Sequence, residues 1–298
     1  MTEEDIIQLF FNKNAEPKSD CYVLDNKYLV TTDSISENTH FKTNWSSPKD
    51  IAKKLVEVNV SDIAAGGGIP TNAFLNLGLS KKTSKKTWIK EFSFELKKNL
   101  KFYSIELSGG DTYYSENTNL TLTLIGKTNH PVNRTGGKAG DYLYITGDLG
   151  LSEIGFQVLS KKIRPDFVTY KNSIEKHLRP VSKLFFMQDI FHKYSINASM
   201  DITDGLFQDS LKLAKASSVH LKINLDQLPN LERYAKYIGV EGVLSSGEEL
   251  EILFLSSDRI VESGITEIGN AEKGNGKVTF TQNGKKIIPK SKGFFHFT

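Results

Sequence analysis

The sequence predicts an α/β (α+β) protein of two domains, and three observations predict it. Strand-like and helix-like stretches alternate along the whole chain. Each half carries roughly the same inventory of them. A polar, glycine-rich stretch from Asn133 to Gly140 separates the halves, which sets a first domain of residues 1–136 and a second of residues 137–298. A length of 298 residues is enough for two medium cores.

The composition, 38% hydrophobic and 24% charged, is that of a soluble globular protein. The formal charge is +3 and the lysines are spread along the chain, which gives no footing for a nucleic-acid partner. Cys21 is the one cysteine, so no internal disulfide can form, in keeping with a reducing compartment. The opening MTEEDIIQLFFNKN is acidic and lacks a long apolar core. No stretch reaches the ~18 consecutive apolar residues of a membrane span. The expectation is a cytoplasmic protein with no membrane contact. The Asn-x-Ser/Thr triplets at Asn44, Asn133 and Asn197 then have no secretory setting.

Taken in order, Ile6, Ile7, Phe10 and Phe11 at helical spacing predict a short helix over Glu3–Lys13. Ser19-Asp20-Cys21 leads into YVLD, Asp25-Asn26-Lys27 reads as a turn, and Tyr28 to Thr32 returns as a strand. Ser47-Pro48-Lys49-Asp50 starts a helix, with Ser as N-cap, Pro at the first position and an acid at the third. Ile51, Leu55 and Val58 form its apolar face, and Gly66-Gly67-Gly68 with Pro70 ends it. Ala73 to Leu79 reads as a strand and Thr87 to Leu100 as a helix. Ile105 to Leu107 is a short strand running into Ser108-Gly109-Gly110-Asp111. Leu120, Leu122 and Leu124 alternate with threonines, the pattern of a half-buried strand.

The second half opens with a strand at Asp141–Thr146, followed by helices at Ser152–Leu159, Phe167–His177 and Ser182–Phe191. A strand at Ile196–Met200 ends in Asp201-Ile202-Thr203-Asp204-Gly205, a helix covers Leu206–Ala216, and Val219–Leu225 is a strand. A turn at Ser245–Glu249 precedes alternating Leu250, Ile252 and Phe254, and Asn283-Gly284 signals a hairpin.

The chemistry gathers where these elements end. In LVTTDSISENTH an apolar strand runs into Thr31, Thr32, Asp33 and Ser34, and hard cations such as Mg²⁺ take oxygen ligands of this kind. Asp20, Asp62, Asp111, Asp201 and Asp204 stand in similar places. Asp62 lies in the last turns of a helix, at the negative end of the dipole, where a carboxylate is unfavourable unless something positive compensates. Asp111 follows two glycines and Asp204 precedes one, and glycine lets backbone N–H groups approach a phosphate. Carboxylates with glycine-rich turns suggest metal-bridged phosphates. Any one of these aspartates also reads as a cap or turn residue, and Asp204 could cap the helix that starts at Leu206. Arg134, before a Thr-Gly-Gly turn, reads either as a solvated loop residue or as a phosphate clamp. His40 reads either as structural or as part of the site. The chain has no G-x-x-x-x-G-K-[ST] loop, no protein-kinase motif set and no His/Cys cluster for zinc.

In their order, TTDSISENTHF, VEVNVSDIAAGG, SGGDTYYS, NRTGGKAGDYLYITGDLG, HLRPVSKL, DITDGLFQD and SGEELEILF resemble the thiamine-monophosphate kinase family, and KGFFHF resembles its closing motif. That family is part of the aminoimidazole ribonucleotide synthetase-like superfamily. The resemblance implies the superfamily's two-domain fold, with mixed sheets flanked by helices, and a homodimer built from first-domain strands. It implies transfer of phosphate from ATP to thiamine monophosphate, giving thiamine diphosphate, with several Mg²⁺ ions. Asp20, Thr31, Thr32, Asp33, Asp62, Asp111, Asp201 and Asp204 match metal-binding positions, and Asp33, Asp62 and Asp204 carry the catalytic expectation. Gly110, Asp111, Arg134 and Thr203 match nucleotide-binding positions, and His40 and Glu248 match positions that hold the thiamine phosphate.

The chain departs from the family pattern at Ser19, where an acid is usual, and at Leu250 and Ser291, where aromatics are usual. Asp258 to Gly269 looks shortened. The lost aromatics are expected to loosen the grip on the thiamine rings. Two other readings fit the same residues: a superfamily enzyme with a different small acceptor, and an inactive relative kept for binding. The retained acids speak against the second, since an inactive copy has no need to hold their repulsion together.

Overall fold

The computed structural model describes residues 19–289, together with Ile6, Leu9 and Phe10. Of the helix expected over Glu3–Lys13, those three residues are helical and the rest lies outside the described residues, as do Ser291 and KGFFHF.

The first half builds one sheet from β1 (Tyr22–Leu24), β2 (Tyr28–Ser36), β3 (Ile69–Leu79), β4 (Glu106–Tyr114) and β5 (Asn119–Lys127), in the order β1-β2-β5-β3-β4. The neighbours are antiparallel except β3 and β4, which are parallel and joined by a helix, α2 (Lys86–Phe102). Helix α1 (Pro48–Ala65) begins as its sequence dictates: Ser47 accepts from Asp50 N–H at 3.3 Å, and Asp50 accepts from Ser47 N–H at 2.8 Å. Its Ile51, Leu55 and Val58 pack with Leu29, Ile35, Leu120, Leu122 and Leu124 into one core. Burying each such leucine contributes about 2 kcal/mol. The alternation in β5 works as expected: its leucines face α1, while Thr121 and Thr123 face the other way.

That other face of the first sheet is open. Thr32 bonds Thr123 at 2.9 Å and Ser34 bonds Thr121 at 2.6 Å across it. β4 is exposed along its whole length. The expected turn at Ser108–Asp111 is instead part of this strand, with a register shift opposite Ala73 and Phe74. Gly110 permits it. Its φ is +149°, and a Cβ there would lie 1.8 Å from the Leu75 carbonyl oxygen, so the glycine serves close strand approach.

The second half builds a sheet of order β12-β11-β8-β10-β6-β9-β7. Its strands are β6 (Tyr142–Thr146), β7 (Ile196–Ile202), β8 (Val219–Asn224), β9 (Glu251–Ser256), β10 (Ile265–Lys273), β11 (Lys277–Gln282) and β12 (Lys285–Ile287). One face packs on α3 (Leu151–Leu159), α6 (Leu206–Ser217) and α7 (Leu231–Leu244). The other face, through Tyr144, Ile252 and Phe254, packs on α5 (Leu184–Lys193) and on Ala65 at the end of α1. Helix α4 (Phe167–Leu178) lies against α3.

The second half departs from the sequence reading at β9, α7, β10 and Leu250. β9 is buried on both faces, not one, because Leu253 and Leu255 join one core and Ile252 and Phe254 the other. Helix α7 and strand β10 are additional: α7 is interrupted at Gly239, with φ +70°, and β10 carries a register shift between Glu267 and Gly269. Leu250 is fully buried in the first-half core. The loss of an aromatic there therefore concerns packing, not the grip on a ligand's rings. No helix among the described residues is long and apolar enough to cross a membrane.

Candidate active site

Helix α1 lies between the two halves, and its sequence supplies a different face to each. Ile51, Leu55 and Val58 serve the first sheet. Asp50, Lys54, Glu57 and Ser61, spaced by four, three and four residues, lie along one stripe. Each meets a residue of the second half. Asp50 pairs with Arg179, Lys54 with Glu248, Glu57 with the Ser182 N–H at 2.8 Å, and Ser61 with Asp201 at 2.6 Å. Tyr103 also donates to Glu57, at 2.8 Å.

The acids converge at the C-terminal end of this stripe. Asp20 arrives ahead of β1, Asp62 in the last turn of α1 and Asp201 near the end of β7, and carboxylate oxygens of all three lie within 4.8 Å of one another. Thr31 points to the same place from β2 and donates to Asp62. Asp33 lies two residues on, on the same face of β2, and its backbone N–H donates to Asn59 at 3.0 Å. Burial, followed by Asp20, Glu248 and Asp204, pushes the Asp33 carboxyl up to about 6. Burial and the neighbouring acids raise Asp62 and Asp201 well above the carboxylate range. The penalty expected for Asp62 at a helix C-terminus is thus compounded by its neighbours.

Cationic and N–H groups frame the cluster. Arg134 pairs with Asp20, which decides against a solvated loop role. Burial opposes the charge of Arg134, but Asp20 outweighs it and holds the guanidinium protonated. The turn between β7 and α6 is shaped by Asp209, which accepts the N–H groups of Thr203 at 3.0 Å and Asp204 at 2.9 Å. Lys212 pairs with both Asp209 and Asp204. Asp204 therefore lies beside the start of α6, while Asp209 does the holding.

His40 and Glu248 come from opposite halves and meet at Lys54, which bonds the His40 carbonyl at 3.0 Å and the Glu248 carboxylate. The His40 ring accepts the Ser36 N–H at 3.1 Å. Burial works against a charged Glu248, but Lys54, His177 and His40 outweigh it and hold its pKa below the usual range.

Thus Asp20, Thr31, Asp33, Asp62, Asp201 and Asp204, with Arg134, Thr203, His40 and Glu248, share one region. Thr32, Gly110 and Asp111 do not join it. Thr32 faces the open side of the first sheet, bonded to Thr123. Asp111 is exposed on β4, opposite Asn76, which is itself in register with Thr121. Lys54, Ser61, Asn59, Asp209 and Lys212 are functional neighbours that sequence reasoning missed. Ser61 and Asn59 carried a signal, since both stand within VNVSD beside Asp62.

A pair of mixed sheets with an all-oxygen acid cluster beside the helix between them defines a fold class. The family described as AIR synthase related protein, N-terminal domain, matches residues 18–128. A thiamine-monophosphate kinase of Leptospira interrogans is 45% identical over 301 residues, covering 100% of this chain and 98% of its own. The crystal structure of thiamine monophosphate kinase from Aquifex aeolicus superposes with a TM-score of 0.84 at 31% identity, covering 96% of this chain and 97% of that one. A second structure, AaThiL complexed with AMPPCP and TMP, gives a TM-score of 0.86 at 32% identity, covering 99% and 97%. The chain belongs to the thiamine-monophosphate kinase family. The fold expected from the sequence motifs is the fold found.

Proposed function

We propose that the chain transfers the γ-phosphoryl group of ATP directly to thiamine monophosphate, forming thiamine diphosphate and ADP. One observation carries this reading: Asp20, Asp62 and Asp201 bring carboxylate oxygens within 4.8 Å of one another, beside Asp33. The donor set fits Mg²⁺. It is all oxygen, and Asp20 Oδ2 is buried with no hydrogen-bond partner. Asp20, Asp33, Asp62 and Asp201 would hold such ions, with the Thr31 hydroxyl and Asp204 beside them. Bound Mg²⁺ supplies the charge neutralisation that lets two polyanionic phosphates meet.

The chain's own residues do the remaining work. Arg134, held by Asp20, offers a cation to the nucleotide phosphates. Asp209 fixes the Thr203–Asp204 turn that faces them. Glu248 and His40 hold the acceptor. A phosphate monoester is largely dianionic near pH 7, its second pKa being about 6, so no general base is required. An acceptor oxygen bonds to the γ-phosphorus, and ADP leaves with the electron pair of the broken P–O bond. Thr32, Gly110 and Asp111 stand apart from this cluster, so the metal and nucleotide roles that TTDSISENTHF and SGGDTYYS imply for them would be exercised from β4 and the open side of the first sheet, outside the cluster.

A homodimer accompanies the reading. The open face of the first sheet carries Phe74 and Tyr113, 39% and 50% exposed, and β4 ends it as an unpaired edge. Residues 1–136 and 137–298 are proposed as the dimer-forming and site-completing domains, in the cytoplasm. The test is chromatographic detection of thiamine diphosphate after incubation with ATP, Mg²⁺ and thiamine monophosphate. Product formation that requires all three is expected, and ATP consumption without thiamine diphosphate would refute the assignment.

A further inference from the structure

Lys54 is 2% exposed, and its ammonium reaches two groups that belong to different halves of the chain. It pairs with Glu248 Oε2 and donates to the His40 carbonyl at 3.0 Å. The backbone of the Glu248 turn is already fixed without it. Glu248 N–H donates to the Thr203 carbonyl at 2.8 Å, and Leu250 N–H to the Ile202 carbonyl at 3.1 Å. Glu248 and Leu250 both sit in the left-handed region, with φ of +53° and +51°. What those bonds leave open is the direction of the Glu248 side chain, and Lys54 is the group that sets it. A buried lysine is costly unless paired, so this contact is held by both desolvation and charge.

The sign of the charge then identifies what Glu248 meets. A carboxylate repels a phosphate. It attracts a cation or accepts from an amino group. Thiamine monophosphate carries both, as its thiazolium ring and its aminopyrimidine. We propose that Lys54 is a positioning and specificity-determining residue, fixing the Glu248 carboxylate and the His40 turn as the site for a cationic, amino-bearing heterocycle on the phosphate acceptor. Lys54 holds Oε2 and thereby presents Oε1 to that heterocycle. The proposal rests on the functional reading above and deepens it.

The experiment is a double-mutant cycle with Lys54→Met and Glu248→Gln. Acceptor KM, ATP KM, kcat and calorimetric binding of thiamine monophosphate are read in each protein. Wild-type protein that makes no thiamine diphosphate defeats the functional reading itself, before any variant is compared. With active wild type, Lys54→Met raises the acceptor KM roughly 30-fold, the scale of one charged hydrogen bond. ATP KM and kcat move by less than about threefold, since Lys54 touches neither the nucleotide nor the reacting atoms. Glu248→Gln gives a similar acceptor defect, and the double variant is no worse than Glu248→Gln alone, because Lys54 acts through Glu248. Lys54→Arg, which keeps the charge, recovers most of the acceptor affinity. Equal rises in both KM values would mean a merely structural lysine and overturn the proposal. So would a double variant whose losses multiply. If Lys54→Met does not fold, comparison of Glu248→Gln with the double variant decides alone, because the double variant no longer buries an unpaired carboxylate.

Discussion

Asp62 separates a metal site from a structural aspartate at the scale of one residue. It is buried among Asp33, Asp201 and Asp20, and the hydrogen bond from the Thr31 hydroxyl does not offset their repulsion. Asp62→Asn is expected to abolish most activity yet leave chelator-treated protein as stable as wild type or more so. A structural aspartate would give the reverse, an unstable but active variant. Melting curves in chelator and in millimolar Mg²⁺ read the difference. Mg²⁺ at a hundredfold excess over its Kd should stabilise wild type by about 2.7 kcal/mol. The same acids set a pH dependence. A carboxyl raised on folding adds stability that is complete below its unfolded pKa and is lost as pH climbs through the folded value. For Asp33 and Asp209 that window runs from 3.8 to about 6, and Asp62 and Asp201 extend it upward. In chelator the Tm should therefore fall between about pH 4 and pH 7, and saturating Mg²⁺ should flatten the fall. A chelated protein whose Tm rises over that range would show that these carboxyls do not share one site.

At the scale of elements, what the sequence made legible was what short-range chemistry decides. Ser47-Pro48-Lys49-Asp50 specifies the start of α1 by local bonds, and the threonine–leucine alternation specifies β5. β9 was misread because alternation cannot report a strand buried on both faces by two different cores. Helix α7 was missed because Gly239 breaks its period, and β10 because polar residues and a register shift interrupt it. The site divides in the same way. Its acids stand out in the sequence, but Lys54 and Ser61 find their partners 194 and 140 residues away, beyond any local pattern. Gly110 is the element-scale test. It reads as a phosphate turn yet lies inside β4, where a Cβ would meet the Leu75 carbonyl oxygen at 1.8 Å. Gly110→Ala should cost about 3 kcal/mol through overpacking and backbone strain. Urea unfolding measures this, and an unchanged midpoint would mean that β4 yields readily.

For the whole molecule, the open face of the first sheet predicts self-association. Light scattering at micromolar concentration should give twice the chain mass. Thr123→Arg, which sets a charge in the middle of that face opposite Thr32, should give the monomer with its secondary structure retained. A wild type that scatters as a monomer would remove the dimer from the proposal.

Helix α1 also bears on how the molecule comes apart. Its apolar residues complete the core of one half, while its polar stripe is bonded to Arg179, Glu248, Ser182 and Asp201 of the other. Neither half can release the helix without exposing a core or stranding buried charge. The two halves are thus one thermodynamic unit, although they look like two bodies joined by a linker. Calorimetry should record a single transition, with equal calorimetric and van't Hoff enthalpies per cooperative unit. Entry to the site then cannot come from swinging the halves apart, which would amount to unfolding.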